Sequence, residues 1–247
     1  MVCWGGGLNK YQYGLRCRRH RGNMDEAQRA RLNDKQRETF DHLYDRFLLP
    51  LPQDVLERMQ RIVAVASIQS SETVLDVGTG TGALIPDIQR YSPRQVIACD
   101  LSGRMLQQVA RRHPDVTRYQ GDIRDLQLPD ASVDVVFMNG MFGNIVDKAG
   151  TLKNIARMLR PGGRAVISHP EGRAYVARLA RTEPFPITPL PSPEEARALF
   201  RAVGMTVMQY TDEEKLLIVM AVKDRGRCRR YGPADRLPTG HFDRLGR

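Results

Sequence analysis

The sequence has few cysteines, and none of them forms a pair with CxxC spacing. The four are Cys3, Cys17, Cys99 and Cys228 in a chain of 247 residues. A disulfide-stabilised secreted domain needs many cysteines, and a structural zinc site needs closely spaced pairs. This scarcity excludes a disulfide framework and gives no reason to expect a metal site.

Long apolar runs are also absent. No stretch approaches the roughly 18 consecutive apolar residues of a membrane-spanning helix, and no apolar core of about 7 to 15 residues marks a secretory signal. We therefore expect a soluble, intracellular protein, cytoplasmic or organellar, that is not secreted and has no membrane span.

Acidic residues are missing from the first 23 positions, which contain five Lys and Arg. Residues 221–247 carry eight basic and three acidic residues, so the two ends account for the whole formal charge of +10. Residues 24–220 hold 25 charges of each sign. A neutral core gives no reason to expect nucleic acid as a partner. The composition gives no indication of the oligomeric state.

The two basic ends lack a sustained hydrophobic period. We expect residues 1–24 and 223–247 to be disordered tails, because such segments bury too little apolar surface to fold. Residues 25–222 are predicted to form one domain, since a chain of this length buries a single core.

Strands and helices alternate along this predicted domain. Runs rich in β-branched residues predict strands near 73–77, 95–100, 116–120, 133–138 and 163–168. The ending "MTVMQYTDEEKLLIVMAV" predicts two strands across a short polar turn. The order predicts an α/β fold with a Rossmann-like, doubly wound, mostly parallel seven-stranded sheet and a C-terminal antiparallel hairpin.

Upstream of the sheet, apolar residues recur at helical spacing in "ETFDHLYDRFLLP". The pattern predicts one helix that ends near Pro50 and buries a continuous apolar face. The residues of that face are Phe40, Leu43, Tyr44, Phe47 and Leu48.

The stretch "TVLDVGTGTGALI" places three glycines where a predicted strand turns into a helix. Gly78, Gly80 and Gly82 lack a Cβ, so a ligand can approach the backbone amides closely. The spacing also satisfies the looser dinucleotide fingerprint, so the glycines alone do not identify the ligand.

Two carboxylates flank this glycine turn. Asp76 lies two residues before Gly78, where its charge would repel a pyrophosphate but would suit a ligand that carries an ammonium group. Asp100 ends the next predicted strand, 22 residues after Gly78, where it can accept both hydroxyls of a ribose. Asp100 does not choose between NAD and S-adenosylmethionine, since both contain that ribose.

Over roughly residues 38–222 the sequence resembles the class I S-adenosylmethionine-dependent methyltransferases. The motifs that carry the resemblance are "LDVGTGTG", "ACDLS", "GDIRDLQLPDASVDVVFMN" and "LKNIARMLRPGGRAVIS". Within that superfamily, "FMNGMFGNIVDKAGTLKNIARMLRPGGRAVI" is most similar to the ubiquinone and menaquinone C-methyltransferases. The resemblance implies a methyltransferase domain over 25–222 with an N-terminal helical lid and S-adenosylmethionine as cofactor.

The resemblance also implies roles for residues outside the glycine turn. Asp122 would accept from the adenine amino group and Ile123 would pack on the ring, although Asp122 also suits a helix cap. Tyr44 resembles a lid tyrosine of the quinone enzymes, and it also fits a core position. The predicted cofactor-binding residues are Tyr44, Asp76, Gly78, Gly80, Gly82, Asp100, Leu101, Asp122, Ile123 and Asn139.

Three residues at the ends of predicted strands are candidates for catalysis. Asn139 ends the fourth strand, where the reacting groups are expected to meet, although asparagine is also common in turns. His169 and Glu171 follow the fifth strand at the edge where open α/β sheets bind ligands. We predict that this pair helps to bind or deprotonate the acceptor. The alternative is that His169 only bonds the loop and Glu171 is solvated.

The predicted function is S-adenosylmethionine-dependent methylation of a small-molecule acceptor. Carbon or oxygen is the expected acceptor atom, because "MNGM" stands where adenine and amide N-methyltransferases carry an Asn-Pro-Pro-Tyr type run. Two other interpretations stay open. One is a cofactor-binding scaffold or assembly factor without turnover, and the other is a nicotinamide-dependent oxidoreductase.

Overall fold

Seven strands form one sheet in the computed structural model, which describes residues 25–183 and 187–225. The strands are β1 (Thr73–Val77), β2 (Gln95–Asp100), β3 (Thr117–Gln120), β4 (Val133–Asn139), β5 (Leu159–His169), β6 (Met205–Glu213) and β7 (Leu216–Lys223). The predicted tail 1–24 and all but the first three residues of the predicted tail 223–247 lie outside the described residues.

Helices connect the strands in the described part of the chain. The α-helices are α1 (Glu26–His42), α2 (Gln53–Ala64), α3 (Ile85–Gln89), α4 (Gly103–Arg112), α5 (Lys148–Met158), α6 (Gly172–Thr182) and α7 (Pro193–Arg201). Short 3₁₀ helices cover Tyr44–Leu48, Ile123–Asp125 and Phe142–Asn144. None of the helices in the described ranges is long and apolar enough to cross a membrane.

The strand order is β3-β2-β1-β4-β5-β7-β6. Strands β1 to β5 run parallel, whereas β7 pairs antiparallel with both β5 and β6. The order reverses between β1 and β4, and open α/β sheets bind ligands at the carboxyl ends of such strands. The predicted fold class is therefore confirmed, and the sheet places its ligand-binding edge after β1 and β4.

Apolar side chains on the two faces of the sheet form separate core layers. Leu75 and Ile167 point toward the layer that includes α5, α6 and α7. Val74 and Val166 point toward the layer that includes α2, α3 and α4. Because residues alternate between faces along a strand, both faces of the central strands are covered, as parallel sheets require.

Side-chain caps fix where several helices begin. Ser102 accepts from the amide of Met105 at the start of α4. Ser192 and Glu195 form a capping box at the start of α7, with each side chain bonded to the other residue's amide. Such caps satisfy amide donors that the first helical turn leaves unpaired.

The predicted continuous helix over the stripe from Phe40 to Leu48 is wrong. Helix α1 ends at His42, and the chain tightens into a 3₁₀ helix over Tyr44–Leu48. The amide of Arg46 bonds to the carbonyl of Leu43, which shortens the repeat and turns the later side chains away from the α-helical stripe. Tyr44 is buried as a result, whereas Phe47 is 44% exposed.

Strand β5 begins four residues earlier than the sequence pattern indicates. Leu159 pairs with Val133 directly after α5, and the pairing then skips to Arg164 opposite Val135. Gly162, at φ +84°, allows the intervening residues to bulge out of the ladder.

Candidate active site

The glycine turn follows β1 and is anchored to β2. The amides of Gly78 and Thr79 both donate to the carbonyl of Cys99, at 2.8 and 3.2 Å. Gly78 has φ +63°, and a Cβ there would lie 2.7 Å from Cγ of Met141, so packing and conformation both require glycine. Gly80 has φ +56° and open space where its Cβ would be. Gly80 is therefore the position where a ligand can approach the turn.

Asp76 is a buried carboxylate just before this turn. Its Oδ2 accepts from the hydroxyl of Thr79 at 2.7 Å, and no other hydrogen bond reaches this carboxylate from the described residues. Burial raises the pKa of Asp76 to about 7, and the nearby charge of Asp100 adds to that rise. A cationic ligand would favour the ionised form, because it would offset the cost of burial.

Asp100, at the end of β2, holds two loops together. Its Oδ2 accepts from the amide of Gly80 and its Oδ1 accepts from the amide of Ser102, both at 2.9 Å. Burial raises the pKa of Asp100, while these two amides act in the opposite direction. Each carboxylate oxygen keeps a second lone pair, so the group can still accept hydroxyl donors from a ligand.

Asp122 follows β3 and bonds to residues from a distant part of the chain. Its Oδ1 accepts from the amide of Arg124 at 2.9 Å, so the predicted capping role is present. Its Oδ2 accepts from Arg29 Nη1 and Asn33 Nδ2 of α1, both at 2.6 Å. Ile123 beside it is buried. No local pattern pointed to Arg29 or Asn33, because they lie 93 and 89 residues away from Asp122.

The three carboxylates Asp76, Asp100 and Asp122, which we call the acidic edge, lie at the carboxyl ends of three neighbouring strands, β1, β2 and β3. All three act on the thiol of Cys99 at the end of β2, where burial and their charges raise its pKa. Arg29 compensates the charge of Asp122, whereas the side chains of Asp76 and Asp100 have no cationic partner among the described residues. A positively charged ligand group suits these two carboxylates, and a diphosphate would be repelled. Because pyrophosphate carries negative charge, the acidic edge disfavours a nicotinamide dinucleotide.

Tyr44 and Leu101 lie where α1 and its 3₁₀ extension meet α4. The Tyr44 hydroxyl is 3.1 Å from the side-chain amide of Gln108, and the Arg104 guanidinium lies 4.2 Å from the centre of the tyrosine ring. Leu101 is half-buried next to Ser102, whose hydroxyl donates to Asp41 of α1. Tyr44 is thus a buried packing residue, and its role in cofactor binding stays a prediction.

The predicted catalytic residues lie at the ends of β4 and β5, but their side chains have different partners. Asn139 Oδ1 accepts from the hydroxyl of Ser168 at 3.0 Å. The His169 ring lies 5.4 Å from the ring of Tyr175 on α6, whereas Glu171 forms a 3.1 Å ion pair with Arg58 on α2. Helices α6 and α2 cover opposite faces of the sheet. His169 and Glu171 are thus close in sequence, but their side chains contact different helices on opposite faces of the sheet.

The protonation of His169 follows from its contacts. Its Nδ1 accepts from the amide of Glu171 at 3.1 Å, so the neutral ring carries its proton on Nε2. Burial lowers the pKa of His169 to about 4. At neutral pH the ring is therefore uncharged, and its outer nitrogen is a hydrogen-bond donor.

Comparison with known proteins gives a family for the central part of the chain. Residues 75–167, from the glycine turn to the end of β5, match the methyltransferase domain. Over these 93 of the 247 residues the chain is similar to a methyltransferase domain. The resemblance to S-adenosylmethionine-dependent methyltransferases is confirmed by that match and by the relatives, and S-adenosylmethionine is the methyl donor that the domain implies.

Curated relatives and solved structures extend the similarity beyond the methyltransferase domain. The chain is 31% identical to the O-methyltransferase resE of Aspergillus sclerotiorum over 63% of each chain. It is 39% identical to the demethylmenaquinone methyltransferase of Tropheryma whipplei over 46% of this chain and 48% of that one. The chain thus spans less than two thirds of the length of either relative.

A solved S-adenosylmethionine-dependent methyltransferase from Mesorhizobium loti has the same fold. It matches with a TM-score of 0.58 and 17% identity, over 66% of this chain and 96% of that one. This likeness supports the sheet topology of the methyltransferase domain and carries no information on the acceptor.

The site fits the cofactor that this similarity implies. S-adenosylmethionine carries an ammonium and a sulfonium group, which suit the acidic edge, and Asp76 has a carboxylate oxygen that accepts from no described residue. The open space at Gly80 leaves room beside the turn. Asp76, Asp100 and Asp122 are therefore the residues expected to hold the amino-acid, ribose and adenine parts respectively.

Proposed function

We propose that this protein is an S-adenosylmethionine-dependent methyltransferase that acts on a small-molecule acceptor at carbon or oxygen. The observation that carries the proposal is the acidic edge, which surrounds a glycine turn at the switch point of the sheet. The charge of this edge suits a cationic methyl donor, and the surrounding segment matches a methyltransferase domain.

The contribution of the chain to the reaction is alignment. The bound cofactor would supply an activated methyl group, and transfer needs the acceptor atom in line with the bond that breaks. Positioning of two reactants in this way lowers a barrier by about 7 to 11 kcal/mol in favourable cases. Asn139, which ends β4, and Ser168, the last residue but one of β5, bond to each other at the carboxyl edge, and we expect the acceptor to meet the donor beside them.

We assign His169 a binding role in preference to a proton-accepting role. A base needs a free lone pair and a pKa near the working pH, and His169 has Nδ1 occupied and a pKa of about 4. Its Nε2 proton can instead be donated to an oxygen of the acceptor. A phenol, enol or carboxylate oxygen would accept such a bond, which supports an oxygen-bearing acceptor.

The contacts of Glu171 keep one alternative function open. Its carboxylate already pairs with Arg58, and Arg58 also donates to the carbonyl of Pro170 at 2.5 Å. If neither Glu171 nor His169 accepts the acceptor's proton, neither of these two predicted residues would serve as a base for a carbon or hydroxyl acceptor. This observation favours a cofactor-binding scaffold as the second candidate.

A binding comparison followed by a transfer assay separates these functions. We expect calorimetry to detect S-adenosylhomocysteine and no NAD, and the reverse result would reject the proposal. Isotopically labelled S-adenosylmethionine, incubated with a panel of phenols, quinols and carboxylic acids, should then give a labelled product. Tight cofactor binding without transfer to any acceptor of these classes would support the scaffold.

A further inference from the structure

Helix α1 reaches the carboxyl edge of the sheet through polar contacts. Gln36 is the one buried residue of α1, and its side-chain amide donates to the carbonyl of Asn144 after β4. Asp41 accepts from Ser102 after β2, and Arg29 with Asn33 binds Asp122 after β3. The helix therefore lies across the ends of three strands where the cofactor is expected.

The contacts of Arg29 and Asn33 with Asp122, which we call the clasp, fix the orientation of that carboxylate. An ionised carboxylate offers about four lone-pair sites for hydrogen bonds. In Asp122, the clasp occupies both lone-pair sites of Oδ2, and the amide of Arg124 occupies one lone-pair site of Oδ1. One acceptor site on Oδ1 is left, which matches a ligand group that donates one hydrogen bond.

Arg29 is itself held in place from several sides. It bonds to Asp125 at 2.8 Å and to Glu26 at 2.7 Å, and its side chain is only 12% exposed. Because three carboxylates hold the Arg29 guanidinium in one position, the guanidinium in turn holds the Asp122 carboxylate in one orientation. Arg37 on the same helix differs, since Asp34 is its one ion-pair partner in the described part of the chain and its side chain is 42% exposed.

We propose that Arg29 and Asn33 are positioning residues that orient Asp122 toward the 6-amino group of the cofactor's adenine, so that docking of α1 and cofactor binding stabilise each other. The proposal rests on the proposed function, since it requires that the site binds an adenosyl cofactor. The coupling follows from the character of α1. The one buried residue of α1 is the polar Gln36, so its docking gains little from apolar burial. A ligand that prefers the docked helix therefore shifts α1 toward the docked position.

The test compares two ligands that differ at one position. S-adenosylhomocysteine has the 6-amino donor, and S-inosylhomocysteine has a carbonyl oxygen in its place. By calorimetry, the parent protein should prefer the adenosyl ligand by about tenfold or more, as expected for one hydrogen bond to a charged acceptor. Arg29→Ala and Asn33→Ala should each weaken adenosyl binding by about tenfold and reduce the preference between the ligands. Arg37→Ala, the matched control, should keep both.

Hydrogen exchange of the α1 amides supplies a readout that does not depend on catalysis. S-adenosylhomocysteine should slow exchange across 26–42 in the parent protein and in Arg37→Ala, and should slow it much less in Arg29→Ala. If both clasp variants keep the parental ligand preference and the parental protection of α1, the inference is overturned. Tighter adenosyl binding by Arg29→Ala would overturn it too, because the clasp would then compete with the cofactor. A parent protein that does not bind S-adenosylhomocysteine at all would overturn the proposed function together with the inference.

Discussion

Replacing Asp76 by Asn is expected to stabilise the ligand-free protein, and to do so more strongly as the pH rises. The pKa of Asp76 is 3.8 in its unperturbed form and about 7 in the folded protein, because burial disfavours the charge. The sign follows from linkage: below the unfolded pKa the carboxyl is protonated in both states and costs nothing. Above the folded pKa the protein must bury a charge, so the free energy of unfolding is reduced by the full amount.

The pKa shift sets the size of this effect. Linkage gives a cost of about 4 kcal/mol near pH 8 and about 2 kcal/mol near pH 5.5. Asparagine removes that cost. Its side-chain NH₂ would replace Oδ1, which has no hydrogen-bond partner among the described residues, and burying it there lowers the free energy of unfolding by about 1 to 3 kcal/mol. Asp76→Asn should therefore gain about 2 kcal/mol in the free energy of unfolding near pH 8, which corresponds to a rise in Tm of about 4 to 8 °C.

Urea unfolding of the ligand-free parent and variant, followed by circular dichroism at both pH values, measures the difference. The cost of the asparagine amide does not depend on pH, so the difference between variant and parent should widen by about 2 kcal/mol from pH 5.5 to pH 8. Asp115→Asn, at an exposed position before β3, controls for the removal of one negative charge. A difference that stays constant with pH would refute the reasoning.

The same Asp76→Asn variant should bind S-adenosylhomocysteine more weakly, since the amide does not pair with an ammonium.

The remaining predictions concern binding, turnover and the domain boundaries. Asp100→Ala should reduce affinity for S-adenosylhomocysteine by about tenfold or more in calorimetry, and an unchanged affinity in the folded variant would reject its role. Gly80→Val should reduce affinity further, because it forces a branched residue into a positive φ beside the open space of the turn. A chain that spans residues 25–225 should keep cooperative melting and cofactor affinity, and loss of either would place a tail within the fold. Once an acceptor is identified, His169→Ala should raise the KM for that acceptor more than it lowers kcat. If His169→Ala and Glu171→Gln both keep the parental kcat and the parental KM, the two residues have a structural role only.

Local patterns predicted the strands and the central part of the candidate site. The glycine turn and Asp100 were identifiable because strand ends and turns depend on neighbouring residues, and both lie at the carboxyl edge as expected. The prediction that His169 and Glu171 act as a pair rested on their common position after the fifth strand, and residues two apart need not share a face there. Such residues share a face only within a strand, and β5 ends at His169, so Glu171 turns toward Arg58 on the other face of the sheet.

The clasp shows what the sequence alone did not reveal. Arg29 and Asn33 are ordinary polar residues of a polar helix, and their importance depends on where α1 docks. That docking brings Arg29 and Asn33 to Asp122, which lies 93 and 89 residues further along the chain. The exposure of Phe47 was missed for a related reason, since the switch from α-helix to 3₁₀ helix at Leu43 leaves no signal in the apolar spacing.

The position of β7 between β5 and β6 has a consequence for how the chain is made. A protein is synthesised from its N-terminus, so β1 to β5 can pair before residues 216–223 exist. Until β7 arrives, one side of β5 presents unpaired backbone groups beside Ala165, Val166 and Ile167, which the finished sheet buries. An unpaired edge of this kind is a template for pairing with another chain. The nascent protein is therefore most exposed to aggregation between the completion of β5 and the arrival of its last strand.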